Sequence, residues 1–401
     1  MIALYSSTFL SMLFSIGISV LNTHLLPPNE YGDVKYIVTI ASFVASVLLL
    51  GYFVSGCRLL ATKGKKERRE IKGAMIIILM ITSIVMTLVL LCFSLWHFLK
   101  GNNNLSILFL FGSIAGWALI IQNYINTSAQ GDNSIHLIII EKIAPGLLYL
   151  LIGTLIFQLL KNNSIGVLVM QYGMIAIVGT TAIWLSSPSF TNLKNTIKEL
   201  NLENRRYGRQ VYIGSLFGVS VGCLAPILLN ILNSDNTFVG YFSLGIALAA
   251  PLSFLPSSIG TVYYKQFAHI NRIDTKLLLF ALALCLLSYL AFIILIYPVV
   301  SYVYPPEYSV VANYSIILAF GKLMHGCGDI FNRFLGAHGR GKELRNGALT
   351  CGTILIVGNL IGVYFFGIYG AIATSVLSSM GYFVSMYIYY FSYTKTGIKA
   401  A

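Results

Sequence analysis

The chain has 401 residues, of which 57% are hydrophobic and only 10% charged. A soluble domain carries about 25% charged residues, so the composition excludes an ordinary soluble protein and points to an all-α integral membrane protein. The formal net charge of +13 is expected from basic flanks at one membrane face, and no nucleic-acid partner is implied.

Twelve apolar runs of bilayer-spanning length, about 20 residues each, follow along the chain at 3–26, 34–56, 73–98, 105–126, 135–160, 165–186, 211–232, 238–262, 276–303, 310–332, 347–367 and 370–392. The first has no basic segment before it and no small-residue cleavage site after it. It is therefore expected as a retained span and not as a signal peptide. Connections are short and polar, except for two longer basic ones, Arg58–Lys72 and Ser187–Gln210. With the N-terminus inside, all but five of the 26 Lys and Arg fall in loops or tails on that side, Lys399 among them; the five are Lys35, Lys100, Lys142, Lys161 and Lys322. That asymmetry supports an even number of spans with both termini cytoplasmic.

The polar stretch near 194–209 divides the chain into an N-terminal six-helix lobe, 1–193, and a C-terminal six-helix lobe, 210–401. Halves with an even number of spans share one orientation, the parallel-repeat arrangement of several transporter folds. The first and seventh spans are each followed by a turn with Gly next to Tyr, Glu30-Tyr31-Gly32 and Val239-Gly240-Tyr241, a faint internal echo. No connection is long enough to fold into a catalytic domain. Function is expected inside the membrane, between helices, with no enzyme activity, cofactor or metal.

Polar residues within apolar runs are costly and mark candidate sites. The first span carries Asn22 and His24. Arg58 follows the second span, either as an interface anchor or as a guard of a cavity mouth. Gln122, Asn123 and Asn126 lie in the fourth span. These amides, with Asn230 and Asn359, read either as interhelical glue or as ligand contacts. The fifth span holds Glu141 and Lys142; neighbours on a helix point about 100° apart and cannot pair with each other, so each needs a partner elsewhere. The tenth carries Lys322, His325, Asp329 and Arg333 on one helical stripe. Asp329 and Arg333 can pair, while Lys322, near mid-span, calls for a wet cavity. Glu141, or Asp329 with His325, is a candidate for ion coupling. Pro145, Pro226, Pro251, Pro256 and Pro298 interrupt spans and permit bends. The six cysteines show no metal-binding or disulfide spacing. The chain has no phosphate-binding glycine loop, zinc-binding HExxH or nucleophile elbow.

Four stretches carry a resemblance. LLPPNEYGDVKYIVTIASFVASVLLLGYFVSGCRLLA, VGYFSLGIALAAPLSFLPSSIGTVYYKQF, VYPPEYSVVANYSIILAFGKLMHGCGDIFNRFLGAHGRGKELRNGA and GIYGAIATSVLSS occur in the order seen in the O-antigen/polysaccharide flippase family, and the chain resembles that family within the multidrug/oligosaccharidyl-lipid/polysaccharide exporter superfamily. The resemblance implies two six-helix lobes forming a V around a central cavity, in a bacterial inner membrane. It implies alternating access for an undecaprenyl-pyrophosphate-linked oligosaccharide, moved from the cytoplasmic to the periplasmic leaflet. Membrane lipids and other polysaccharide-assembly proteins would be the partners. Related lipid flippases often place Arg in the first span; this chain has none there. Its cavity cations would be Lys142, Lys322, Arg58 and Arg333. A multidrug exporter of the same superfamily and a membrane polysaccharide polymerase are the rival readings.

Overall fold

The structure, a computed structural model, describes residues 2–398; Lys399 of the basic tail lies outside them. Every described element is helical. The helices are α1 (Ile2–Leu25), α2 (Pro28–Leu48), α3 (Tyr52–Thr62), α4 (Lys65–Leu99), α5 (Asn103–Gly131), α6 (Ile135–Leu155), α7 (Phe157–Leu160), α8 (Ser164–Leu185) and α9 (Leu193–Glu203). A π turn (Asn204–Gly208) leads into α10 (Arg209–Leu232). Next come α11 (Thr237–Val262), α12 (Tyr264–Phe267), α13 (Thr275–Val303), a 3₁₀ turn (Pro306–Tyr308), α14 (Val311–Ala337) and α15 (Gly341–Ile398).

Nine of the described helices are long and apolar enough to cross a membrane. One of them, α15, leaves helical geometry at Gly367 (φ 55°) and so supplies two of the expected spans. With α10 and α14, of 24 and 27 residues, all twelve expected spans lie on helices among the described residues. The protein is a multi-pass membrane protein. The expected run 34–56 is not continuous. It turns at Leu50 and Gly51, both with positive φ, so α2 ends and α3 begins inside one apolar stretch. Hydropathy alone could not see this break, because every residue around it stays apolar.

The chain forms two compact units, residues 1–223 and 224–401. In the first, α5 is the central helix, packed against α2, α3, α4 and α8, while α6 packs on α1 and α8. The stretch 194–209, expected as a linker, is helical and lies against α3 and α4 within this unit. Lipid tails are as apolar as Leu, so packing and interhelical hydrogen bonds hold such helices together. Trp117 of α5 accordingly donates its indole N–H to Thr87 of α4 at 2.8 Å. In the second unit α14 is central, flanked by α11, α13 and α15. Its Gly326 admits α11 so closely that a Cβ there would lie 2.6 Å from the Ser253 carbonyl oxygen.

Candidate functional site

Within the first unit α1, α5, α6 and α8 surround a cavity of about 160 Å³. At roughly 30 Å³ per water it has room for about five. Its walls include Ser11 and Ser15 of α1, Gln122 of α5, and Glu141 and Lys142 of α6. Its lining mixes these polar groups with the apolar Phe14, Ile18 and Ile175.

Glu141 is its most unusual member. The residue is 3% exposed, and neither carboxylate oxygen has a hydrogen-bond partner. The Gln122 and Asn126 amides stand beside it. One turn further on, Pro145 has no N–H to give to the Glu141 backbone carbonyl. Lys142 points a different way, as adjacent helical residues must, and its Nζ donates to Thr8 Oγ1 at 3.1 Å. No ion pair joins the two. A buried carboxylate without a counter-charge is expensive.

A hydrogen-bonded chain frames this cavity. The Tyr149 hydroxyl donates to Asn22 Oδ1 at 2.5 Å, and Asn22 Nδ2 donates to Gln171 Oε1 at 2.9 Å. It ties α6 to α1 and α1 to α8, and both Tyr149 and Gln171 line the cavity. Neither end of the chain was singled out from sequence. Gln171 could have been, as a lone amide inside an apolar run; Tyr149 could not, in a chain with 25 Tyr. His24 and Asn123 lie elsewhere. Both are exposed, with His24 Nδ1 3.0 Å from the Val20 carbonyl and Asn123 donating to the Leu119 carbonyl of its own helix.

Arg58 is engaged outside this cavity. Its guanidinium pairs with Glu203 at 2.8 Å and lies over the Tyr207 ring at 4.8 Å. Close by, Lys63 pairs with Glu199 at 2.7 Å, so both carboxylates on the outer turns of α9 are taken by α3 and its C-terminal cap.

In the second unit the stripe on α14 divides. Asp329 accepts a hydrogen bond from the Tyr382 hydroxyl at 2.9 Å, and the Tyr382 ring stacks on His325 with centroids 4.4 Å apart. The Asp329–Arg333 pair open from sequence is not formed; Arg333 is exposed, and Tyr382 of α15 supplies the partner instead. Tyr382 reaches Asp329 because Gly328 lets its ring lie flat against α14. Lys322 is half-buried. Among the described residues it makes no hydrogen bond or ion pair, and its polar neighbours are the His325 ring and the Cys351 thiol, the latter bonded to Ser378 at 3.0 Å.

Comparison with known proteins adds three findings. A family model for polysaccharide biosynthesis proteins matches residues 1–264. No curated protein sequence matches the chain. The fold is shared with solved transporters of low sequence identity. An inward-facing multidrug resistance MATE family transporter of the MOP superfamily is 15% identical, with a TM-score of 0.73 over 98% of this chain and 96% of that one. The lipid II flippase MurJ in an inward closed conformation is 13% identical, with a TM-score of 0.69 over 96% and 87%. A MOP superfamily transporter from Pyrococcus furiosus, described as having a binding pocket of reversed polarity, is 14% identical, with a TM-score of 0.58 over 98% and 94%.

Proposed function

Because the chain belongs to the polysaccharide biosynthesis protein family, we propose that it is a flippase for polyprenyl-pyrophosphate-linked oligosaccharides, moving a repeat unit of an O-antigen-like surface polysaccharide from the cytoplasmic to the periplasmic leaflet of a bacterial inner membrane. One observation carries the reading: two lysines, Lys142 and Lys322, sit within membrane-spanning helices with no carboxylate paired to either. An unneutralised ammonium inside a span is costly and is repaid when an anion arrives. A diphosphate is such an anion, bound by Lys through charge-assisted hydrogen bonds. Lys142 is the cation assigned to the first unit and Lys322 to the second, while Arg58, held by Glu203, plays no direct part. The Gln122 and Gln171 amides and the Tyr149 hydroxyl that share the cavity with Lys142 suit a sugar.

The test is complementation of a strain lacking this protein. Lys142→Ala and Lys322→Ala are each expected to abolish surface polysaccharide at an unchanged protein level. Normal polysaccharide from both variants would refute the reading.

Glu141 supports a coupling step within it. The carboxylate is buried, unpartnered and beside Lys142, so loading it with a proton or a cation would change the charge of the cavity by one unit. Glu141→Gln is expected to leave the protein folded and to make translocation into proteoliposomes insensitive to an imposed proton or sodium gradient. A gradient dependence equal to that of the wild type would remove Glu141 from coupling. Uptake of a cationic dye, with no movement of the lipid-linked sugar, would instead assign the chain to multidrug export.

A further inference from the structure

A second polar site lies at the basic end of the first unit, where the π turn joins α9 to α10. The turn is anchored from below. Asn204, buried, donates from Nδ2 to the Leu50 carbonyl at 3.1 Å and accepts from Ser55 Oγ at 3.2 Å. Gly51, at φ +83°, lies against Gly208 so tightly that a Cβ on Gly51 would sit 2.5 Å from the Gly208 carbonyl oxygen. The Tyr212 hydroxyl closes the corner by donating to the Val47 carbonyl at 2.7 Å. π turns are rare and recur at functional sites. This one is clamped to the α2–α3 corner by side-chain and backbone contacts.

Above that anchor opens a cavity of about 390 Å³. Arg205, Arg209, Tyr52, Tyr212, Leu50 and Ile213 line it, together with Asn204. Leu50 and Ile213 are 50% and 60% exposed. Both guanidiniums are exposed and, among the described residues, have no ion pair. The carboxylates that could have neutralised them are engaged: Glu203 by Arg58 and Glu199 by Lys63. Two free arginines, two tyrosines and two exposed apolar side chains in one pocket are the groups that a lipid phosphate and the first part of its chain require.

We infer that this corner binds the phosphate head of a membrane lipid, with Arg205 and Arg209 holding the phosphate, and Tyr52, Tyr212, Leu50 and Ile213 holding the first part of the chain. Arg pairs are suited to the task because the planar guanidinium meets phosphate oxygens bidentately. Arg206 lies between the two in sequence but does not line the cavity, which makes it the natural control. Two sources share the chemistry, an anionic phospholipid of the bilayer and a polyprenyl phosphate carrier. The inference does not rest on the transport reading, since it uses none of the groups assigned there.

Full-length protein in detergent would be titrated with phosphatidylglycerol, polyprenyl monophosphate and phosphatidylcholine, and bound lipid read by native mass spectrometry. The wild type is expected to retain the two anionic lipids over phosphatidylcholine. The double variant Arg205→Gln/Arg209→Gln is expected to lose roughly thirtyfold in anionic-lipid affinity, and Arg206→Gln much less. A stronger grip on polyprenyl phosphate than on phosphatidylglycerol assigns the site to the carrier; equal binding of the two assigns it to bulk anionic lipid. Equal retention of phosphatidylcholine, or an equal loss in Arg206→Gln and in the double variant, would overturn the inference. Because Lys142 and Lys322 are untouched, a negative result here leaves the complementation test standing, and the reverse holds too.

Discussion

Asn22 offers the sharpest test of how the cavity in the first unit is held. It is 1% exposed, and its amide is shared between Tyr149 of α6 and Gln171 of α8. Replacing Asn22 by Leu keeps the side chain's heavy-atom count and branching and removes both bonds. Interhelical hydrogen bonds inside membranes average about 0.6 kcal/mol and reach about 1.7. Losing two should therefore cost about 1–3 kcal/mol, with the upper end reached if the Gln171 carbonyl and the Tyr149 hydroxyl find no water. Tyr149→Phe removes only one of the two and should cost about half as much. The assay is unfolding in mixed micelles by SDS titration for wild type, Asn22→Leu, Tyr149→Phe and the double variant. A double-mutant cycle isolates the shared bond. The expected coupling is at least about 0.6 kcal/mol: once Tyr149 has lost its hydroxyl, Asn22→Leu should hurt less. Strict additivity would mean that the Asn22–Tyr149 contact contributes nothing and that the chain across α1, α6 and α8 does not hold the cavity.

Asp132 follows α5 and takes Lys72 at 2.6 Å and Arg68 at 3.2 Å. Burial pushes its carboxyl up, but Lys72 first, then Arg68 and Ser134, outweigh this and hold it below its ordinary value of 3.8. A depressed carboxyl contributes stability that is complete above the unfolded-state value and is lost as pH falls through the lower folded-state value. Asp132→Asn, which leaves Lys72 buried without a counter-charge, should cost about 3 kcal/mol near neutral pH. The gap to wild type should close on acidification below about pH 4; a gap independent of pH in thermal melts from pH 7 to 3 would contradict the assignment. Gly51 and Gly101 both have positive φ, but only Gly51 faces another backbone. Gly101→Ala should carry only the conformational cost of about 1–2 kcal/mol, while Gly51→Ala should sharply reduce the folded yield in detergent. Equal yields would show that the Gly51–Gly208 contact is not tight.

The twelve spans were legible in the sequence because a lipid environment forces each crossing into about 20 apolar, internally hydrogen-bonded residues. So was the presence of Glu141, Lys142 and Lys322 in those spans, since a charge in hydrocarbon stands out against an apolar background. That Glu141 and Lys142 would not pair with each other also followed from helical geometry alone. The turn at Leu50–Gly51 was not legible, because no polar residue marks it. Nor was the docking of 194–209 on α3 and α4, which is secured by Arg58–Glu203 and Lys63–Glu199, pairs separated by more than a hundred positions.

Sequence by itself determined the class of protein, the spans and the short list of intramembrane ionisable groups, all properties of one helix and its solvent. Tertiary structure decided the partners. It gave Asp329 to Tyr382 instead of Arg333, withdrew Arg58 to Glu203, buried Glu141 away from any ion pair, and brought Tyr149 and Gln171 into the same cavity wall, joined through Asn22. A side chain's partner depends on which helix face meets which, and that is set by close backbone approach between distant segments, as at Gly328 and Gly326, which no local pattern encodes.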